Sequence, residues 1–393
     1  MSVRWVAPVA LAAPVLLAGC NAFAHDSASA PAASLDVSTR QGAAAVPRVE
    51  RPLQVIAPRE RYLVIESPRS DGAYTLELAG VRGAVVASTV IPTAAVWTPV
   101  AGPSGAYWLD GDSVRLLTPA GATRVIGTVP SGVDGFVVSP FGDAFAYATT
   151  TVMSTSNQTT DNRIVVQQIG GTSRAVADQV DDWSSPSADA PQAWTYGLMS
   201  WTDQGIVFRR EVTGACGCAA FDMQMLSAYT GLVDPASGAT TDLTSAQDCP
   251  LSGYGVSVAA CFHVTGTGAA DELRVTTTDA ASRHFTMSGL NDGGDAVLSG
   301  DGRTVAYETV PTADSGCGSA VYPTTLHVLD LTRGQATEAA IEGLTIKVWP
   351  YQGPILGEVS GGSGSSIVSI DPTTLAADTV WTGALGSRLI GLS

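Results

Sequence analysis

Cysteine and histidine are the residues of this chain with the most chemistry to offer. Six cysteines occur, at 20, 216, 218, 249, 261 and 317, and four histidines, His25, His263, His284 and His327. Cys216, Cys218, Cys249, Cys261 and Cys317 fall together in the second half. In an oxidising compartment such thiols pair. Five of them imply two bridges and one free thiol, with a connectivity that spacing alone leaves open. A Cys/His metal site is the competing chemistry, because His263 follows Cys261 by two residues. Zinc sites usually separate paired cysteines by two to four residues, and Cys216-Gly217-Cys218 has one. Disulfides are therefore expected, and neither metal nor cofactor. Asp181-Asp182-Trp183, with Trp194 close behind, joins carboxylates to aromatic faces that could bind a cation, a sugar or a peptide. No Gly-x-Ser-x-Gly elbow, His-Glu-x-x-His, P-loop or dinucleotide fingerprint is present, so no catalytic residue is expected.

These residues must be positioned by β-structure. Charged residues are only 14%, while Gly numbers 42 and β-branched residues are plentiful, a composition of strands and tight turns. The net charge of −16 disfavours nucleic acid, which requires a basic face. Lys347 is the only lysine.

The N-terminus has its own logic. Arg4 precedes an apolar run from Trp5 to Leu17, the layout of a secretory signal peptide. The run is too short to cross about 30 Å of hydrocarbon as a helix, and Pro8 and Pro14 interrupt it. It ends in Leu17-Ala18-Gly19-Cys20, which resembles the lipobox of bacterial lipoproteins. That resemblance implies lipidation of Cys20, removal of residues 1–19 and a membrane anchor of two or more acyl chains. Residues 20–50 are rich in Ala, Ser and Pro and read as a flexible tether, with an r.m.s. span of roughly 30 Å.

From residue 51 to 393 one pattern recurs: an apolar strand ends at Ser or Trp, a tight turn follows, and a second apolar strand begins. Copies align at positions 57, 97, 139, 201, 252, 299 and 349. A period of 40 to 50 residues with about four strands per unit predicts an all-β β-propeller of seven blades, six or eight also fitting. A pair of β-sandwiches is the architectural alternative. Val328-Leu329-Asp330-Leu331-Thr332-Arg333-Gly334, repeated at Leu232–Gly238 and in part at Ile370-Asp371-Pro372, predicts a turn between third and fourth strands. Ser387–Ser393 reads as an inner strand that pairs with the first or last blade. Ser299-Gly300-Asp301-Gly302-Arg303-Thr304-Val305-Ala306-Tyr307, with the later Leu326–Gly334, resembles the TolB-like propeller repeat, a relative of WD repeats.

Such a propeller places its strand-two-to-three and blade-to-blade connections at one end. The long connections, at roughly 150–163, 177–195, 211–219 and 310–324, map there, as do the five cysteines. The inner-strand positions hold Ala, Ser and Trp, with no carboxylate cluster expected among them. The expectation is an extracytoplasmic lipoprotein, held to the bacterial cell membrane through Cys20. Its propeller is a non-catalytic binding or scaffolding module for an envelope protein or cell-wall ligand. The alternative is an exported hydrolase or lactonase with its site in the central channel or on the long-loop face.

Overall fold

Burial alternates with period two along Thr159–Gln168, whereas Gly105–Leu109 and Val305–Val310 are buried throughout, and each such stretch forms a strand. The computed structural model describes residues 61–93, 98–133, 135–154, 159–182, 194–212, 227–244, 249, 251–255, 258–264, 270–277, 282–311, 322–350, 353–362 and 364–393. These fall in one compact unit, Arg59–Ser393. All described regular structure in it is β.

The strands make antiparallel sheets in chain order. Sheet 1 holds β1 (Tyr62–Pro68), β2 (Tyr74–Gly80), β3 (Val85–Ile91) and the last strand of the chain, β27 (Arg388–Leu392), in the order β27-β1-β2-β3. Sheet 2 runs β4 (Val100–Gly102), β5 (Gly105–Asp110), β6 (Ser113–Leu117), β7 (Thr123–Thr128). Sheet 3 runs β8 (Phe136–Val138), β9 (Ala144–Ser154), β10 (Thr159–Gln168), β11 (Ser173–Asp182). Sheet 4 runs β12 (Trp194–Thr202), β13 (Gly205–Val212), β14 (Ser227–Val233), β15 (Thr240–Thr244).

Sheet 5 has seven strands: β16 (Leu251–Gly255), β17 (Val258–Val264), β18 (Ala270–Thr277), β19 (Ser282–Leu298), β20 (Thr304–Pro311), β21 (Thr325–Asp330) and β22 (Gln335–Ala340). The long strand β19 joins two halves. Ser282–Thr286 pairs with β18, whereas Asn291–Leu298 pairs with β20. We call the halves 5a (β16 to β19) and 5b (β19 to β22). Sheet 6 runs β23 (Leu344–Val348), β24 (Ile355–Gly361), β25 (Gly364–Ile370), β26 (Ala377–Gly383).

Each four-stranded set has two apolar faces, and seven buried clusters fill the spaces between successive sets. Leu76, Leu78 and Trp108 join sheets 1 and 2, and Tyr107, Phe136 and Phe145 join 2 and 3. Ile164, Tyr196 and Phe208 join 3 and 4, and Val207 and Ala259 join 4 and 5a. Phe262 and Tyr307 join 5a and 5b, and Leu326 and Ile346 join 5b and 6. The seventh cluster returns to the start, packing Leu63 and Ile65 of β1 and Leu389 of β27 on Leu356 and Ile367 of sheet 6. This mutual covering of sheet faces is the packing of a β-propeller.

Turn chemistry follows the recurring pattern. The Ser139 hydroxyl accepts the Ala144 N–H at 3.3 Å and donates to Asp143 at 2.6 Å. Ser299 repeats this, accepting from Thr304 N–H at 3.0 Å and donating to Asp301 at 2.7 Å. The third-to-fourth-strand turn also lies where expected. Asp330 accepts the Thr332 and Arg333 N–H groups at 2.8 and 3.0 Å, ahead of Gly334 at φ +66°. Asp371 does the same for Thr373 and Thr374, but Leu375 occupies the left-handed position at φ +57°.

Two copies of the repeat are displaced. In sheet 2 the first turn lies at Gly102–Gly105, after β4, and Trp97 lies outside the described residues. Gly105 sets it, because at φ +139° an added Cβ would lie 2.0 Å from the Leu117 carbonyl oxygen. In 5a, Ser252 lies inside β16, which continues to Gly255 and pairs there with Val258 of β17. The copy at 57 lies outside the described residues. The inner position of sheet 1 is filled from the other end of the chain, by β27 pairing with β1 through Glu66↔Arg388 and Leu63↔Leu392. The inner-strand reading of Ser387–Ser393 holds, with the first sheet as partner.

Candidate functional site

Antiparallel order sends alternate connections to opposite ends. The second-to-third-strand connections and the crossings between sheets share one end. At that end the three longest intervals between described strands are 183–193, 213–226 and 312–324, in sheets 3, 4 and 5, and shorter ones such as 92–99 and 129–135 join the other sheets. The opposite end is built from short turns such as Ser139–Gly142 and Ser299–Gly302. The three longest intervals thus share one end and fall in sheets 3, 4 and 5.

The expected loop at 150–163 is largely strand. β9 and β10 pair from Ala144↔Gln168 out to Ser154↔Thr159. Their Thr-rich, β-branched composition favours continued pairing over a loop. Asp181 and Asp182 likewise close β11, paired with Thr160 and Thr159, and Trp194 opens β12, paired with Val212. These three are strand-end residues flanking the 183–193 connection. Trp183 lies outside the described residues, as do Cys20, Cys216, Cys218 and Cys317. Two exposed apolar side chains, Met153 on β9 and Val180 on β11, stand at the same end.

Cys249 and Cys261 form a disulfide with a Cα–Cα distance of 5.3 Å. It ties the sheet 4 to sheet 5 crossing to β17, close to the same end. His263, two residues on, is engaged by Asp271 at 2.6 Å through Nδ1. Among the described residues no group of three or more His, Cys, Asp and Glu side chains could hold a metal.

A second polar region lies near the inner strands of 5b, sheet 6 and sheet 1, and sequence reasoning missed it. The second strands of these sets each carry a glutamate: Glu308 on β20, Glu358 on β24 and Glu66 on β1. Glu308 accepts the Ile346 N–H of β23 at 3.1 Å, and Glu358 accepts the Leu389 N–H of β27 at 2.9 Å. In both cases the N–H belongs to the inner strand of the next set, beside a β-bulge. A bulge interrupts the ladder and frees a backbone donor, which the carboxylate satisfies. Glu66 instead takes the Arg388 guanidinium, Nε at 2.9 Å. Lys347 lies 3.3 Å from Glu358.

Inner-strand carboxylates are also present, against the sequence expectation: Asp292 and Asp295 on β19. They were missed because they precede Ser299, the residue on which the repeats align, and flank the Gly293-Gly294 pair of a bulged segment. Burial raises the Asp292 carboxyl to about 6 against the Gly293 hydrogen bond that favours its ionised form. Burial also raises Asp295, which sits at φ +48°. Glu308, fully buried, is held well above the ordinary carboxylate range by burial and by the neighbouring Asp295 charge. Glu66 is raised too, since burial outweighs Arg388. This region links three sets electrostatically, and Glu66 Oε1 and Glu308 Oε2 stay buried without a hydrogen-bond partner.

The remaining described histidines are also engaged. His327 stacks on Tyr307 at 4.7 Å and meets Thr309 at 2.9 Å. His284 meets Glu272 at 2.7 Å.

No family model matches the chain, and no curated protein does. Solved structures are similar in fold. An acylaminoacyl peptidase from Pyrococcus horikoshii matches with TM-score 0.52 and 7% identity, over 82% of this chain and 50% of that one. An acylaminoacyl peptidase in complex with Z-Gly-Gly-Phe-chloromethyl ketone gives 0.51 and 6%, over 82% and 51%. TolB from Acinetobacter baumannii gives 0.41 and 13%, over 72% and 65%. The chain spans about half the length of the peptidases and just under two thirds of that TolB. At these identities the peptidase matches speak for fold alone.

Proposed function

We propose that this chain is a lipid-anchored extracytoplasmic lipoprotein whose propeller binds an envelope protein or a cell-wall ligand. In this reading residues 1–19 are a signal peptide, Cys20 carries the lipid and residues up to 50 are the tether. Residues 51–393 form seven blades, with 5a and 5b counted separately and β27 completing the first. The observation that carries the binding reading is the grouping of the three longest connections, 183–193, 213–226 and 312–324, at one end of sheets 3 to 5. A rigid scaffold with extended connections in one sector is the usual arrangement of a binding face. Asp181, Asp182 and Trp194 border that sector, and in the sequence Trp183, Cys216, Cys218 and Cys317 fall within those three intervals.

The anchor is tested by metabolic labelling with palmitate. Label in the wild type, lost in Cys20→Ser, supports it; an unlabelled wild type refutes it. Binding is tested by mild cross-linking of intact cells followed by purification. One dominant adduct supports a specific partner, and recovery of background alone, at normal protein levels, counts against it.

A further inference from the structure

We propose that Ser282, His284 and Glu272 form a hydrolytic nucleophile site on the outer strands of 5a, acting on acyl esters. The three residues come from neighbouring antiparallel strands. The register Thr276↔Ser282 and Arg274↔His284 brings Glu272 of β18 diagonally against His284 of β19. Glu272 Oε1 lies 2.7 Å from His284 Nδ1, and His284 Nε2 lies 3.3 Å from Ser282 Oγ. Arg274 Nε donates to the other oxygen, Oε2, at 2.8 Å.

The proton positions follow from this geometry. The Arg274 hydrogen bond, then the one from His284, hold Glu272 below the ordinary carboxylate range, so it is ionised at neutral pH and only accepts. Neutral His284 must then carry its proton on Nδ1, which leaves the Nε2 lone pair for the Ser282 hydroxyl. That is the tautomer a general base for serine requires, with the carboxylate orienting the ring. Ser282 and His284 are exposed and open to a substrate. The Ser282–Thr286 segment is the outermost strand of 5a. Its other edge has no ladder partner among the described residues, so it offers backbone N–H donors of the kind an oxyanion needs.

The step balances without a further reagent. Ser282 Oγ bonds to the acyl carbon while its proton passes to His284 Nε2. The ester C–O bond then breaks and the leaving alkoxide takes that proton. Water repeats the sequence on the acyl-serine and releases the carboxylic acid. With no enclosing wall among the described residues, the substrate class is an ester borne on a polymer or surface, or a small activated ester. The Thr309–His327–Glu338 set of 5b makes an internal contrast. There the hydroxyl is buried, Tyr307 covers the ring and the carboxylate stands 3.5 Å away.

The test uses the purified full-length protein in detergent, with p-nitrophenyl acetate and a fluorophosphonate as probes. The wild type should hydrolyse the ester and take one fluorophosphonate at Ser282, located by peptide mass. Ser282→Ala and His284→Gln should each lose at least 10-fold in rate and lose the label. Glu272 is a positioning residue. Glu272→Gln should lower the rate and also move the acidic limb of the pH–rate profile to lower pH, because the imidazolium loses its counter-charge, while Glu272→Asp should restore part of both. Unchanged melting temperatures would establish that the variants are folded. Hydrolysis that persists in Ser282→Ala, or labelling spread over other hydroxyls, would overturn the proposal. The outcome is independent of the partner test above.

Discussion

The pairing of Glu66 with Arg388 joins residues 322 positions apart and pins the closing strand β27 to β1. Arg388→Met removes the guanidinium but keeps the apolar stem. Glu66 is fully buried, so it is left as an uncompensated charge. Breaking such a pair typically costs 3–5 kcal/mol. Glu66 is already raised by burial and can take a proton instead, which puts the expected cost at the lower end, about 3 kcal/mol at pH 8. With about 2.1 cal/mol/K of unfolding entropy per residue over roughly 330 residues, that is about 4 °C in melting temperature. The pH dependence has a definite sign. The folded pKa of Glu66 rises further in the variant while the unfolded value stays ordinary. The variant therefore loses stability as pH rises through that interval, and its deficit is smaller at pH 5 than at pH 8. The assay is thermal unfolding by circular dichroism at both values, with Glu66→Gln/Arg388→Met alongside. The double variant should recover most of the loss. A single variant as stable as the wild type at pH 8, or a deficit larger at pH 5, would refute the reasoning.

Four other outcomes are expected. Asp292→Asn should stabilise the fold at pH 7 to 8 but not at pH 4. The native carboxyl, near 6, opposes ionisation that the unfolded chain completes above its ordinary value, so stability from this group is lost between about 4 and 6; parallel pH–stability curves for variant and wild type would contradict this. Gly105→Ala should cost at least about 2 kcal/mol, since its Cβ would meet the Leu117 carbonyl at a left-handed φ; denaturant titration reads the loss. Leu375→Gly relieves a left-handed leucine but removes apolar packing near Ile355 and Ile370, so the midpoint should move by less than about 1 kcal/mol either way. Cys249→Ser/Cys261→Ser opens a loop of separation 12 and should lower stability by about 3 kcal/mol under oxidising conditions and not under reductant.

The fold was legible because its signals are local. The turns at Ser139, Ser299, Asp330 and Asp234 depend on one side chain and the next few backbone groups, which fixes their sequence wherever they occur. Sheet 2 was misphased because its first inner strand is only Val100–Gly102, too short to show alternation, and Trp97 resembled the Trp201 and Trp349 landmarks. Strand lengths beyond Thr150 were underestimated because polar threonines read as loop where cross-strand pairing holds them. The glutamates of β1, β20 and β24 could have been found as a recurring acid in an otherwise apolar second strand. Their role could not, because each acts on the inner strand of the next set. Ser282 and His284 lie on a different strand from Glu272, so only the strand pairing brings them together.

Site-specific photo-cross-linking in intact cells tests the binding face most directly. Met153 and Val180 are exposed at the long-connection end, and Phe141 is exposed at the other. Benzoylphenylalanine at Met153 or Val180 should give one dominant adduct, and at Phe141 none. An adduct at Phe141 alone, or none at any position with normal protein levels, would contradict the proposed binding face.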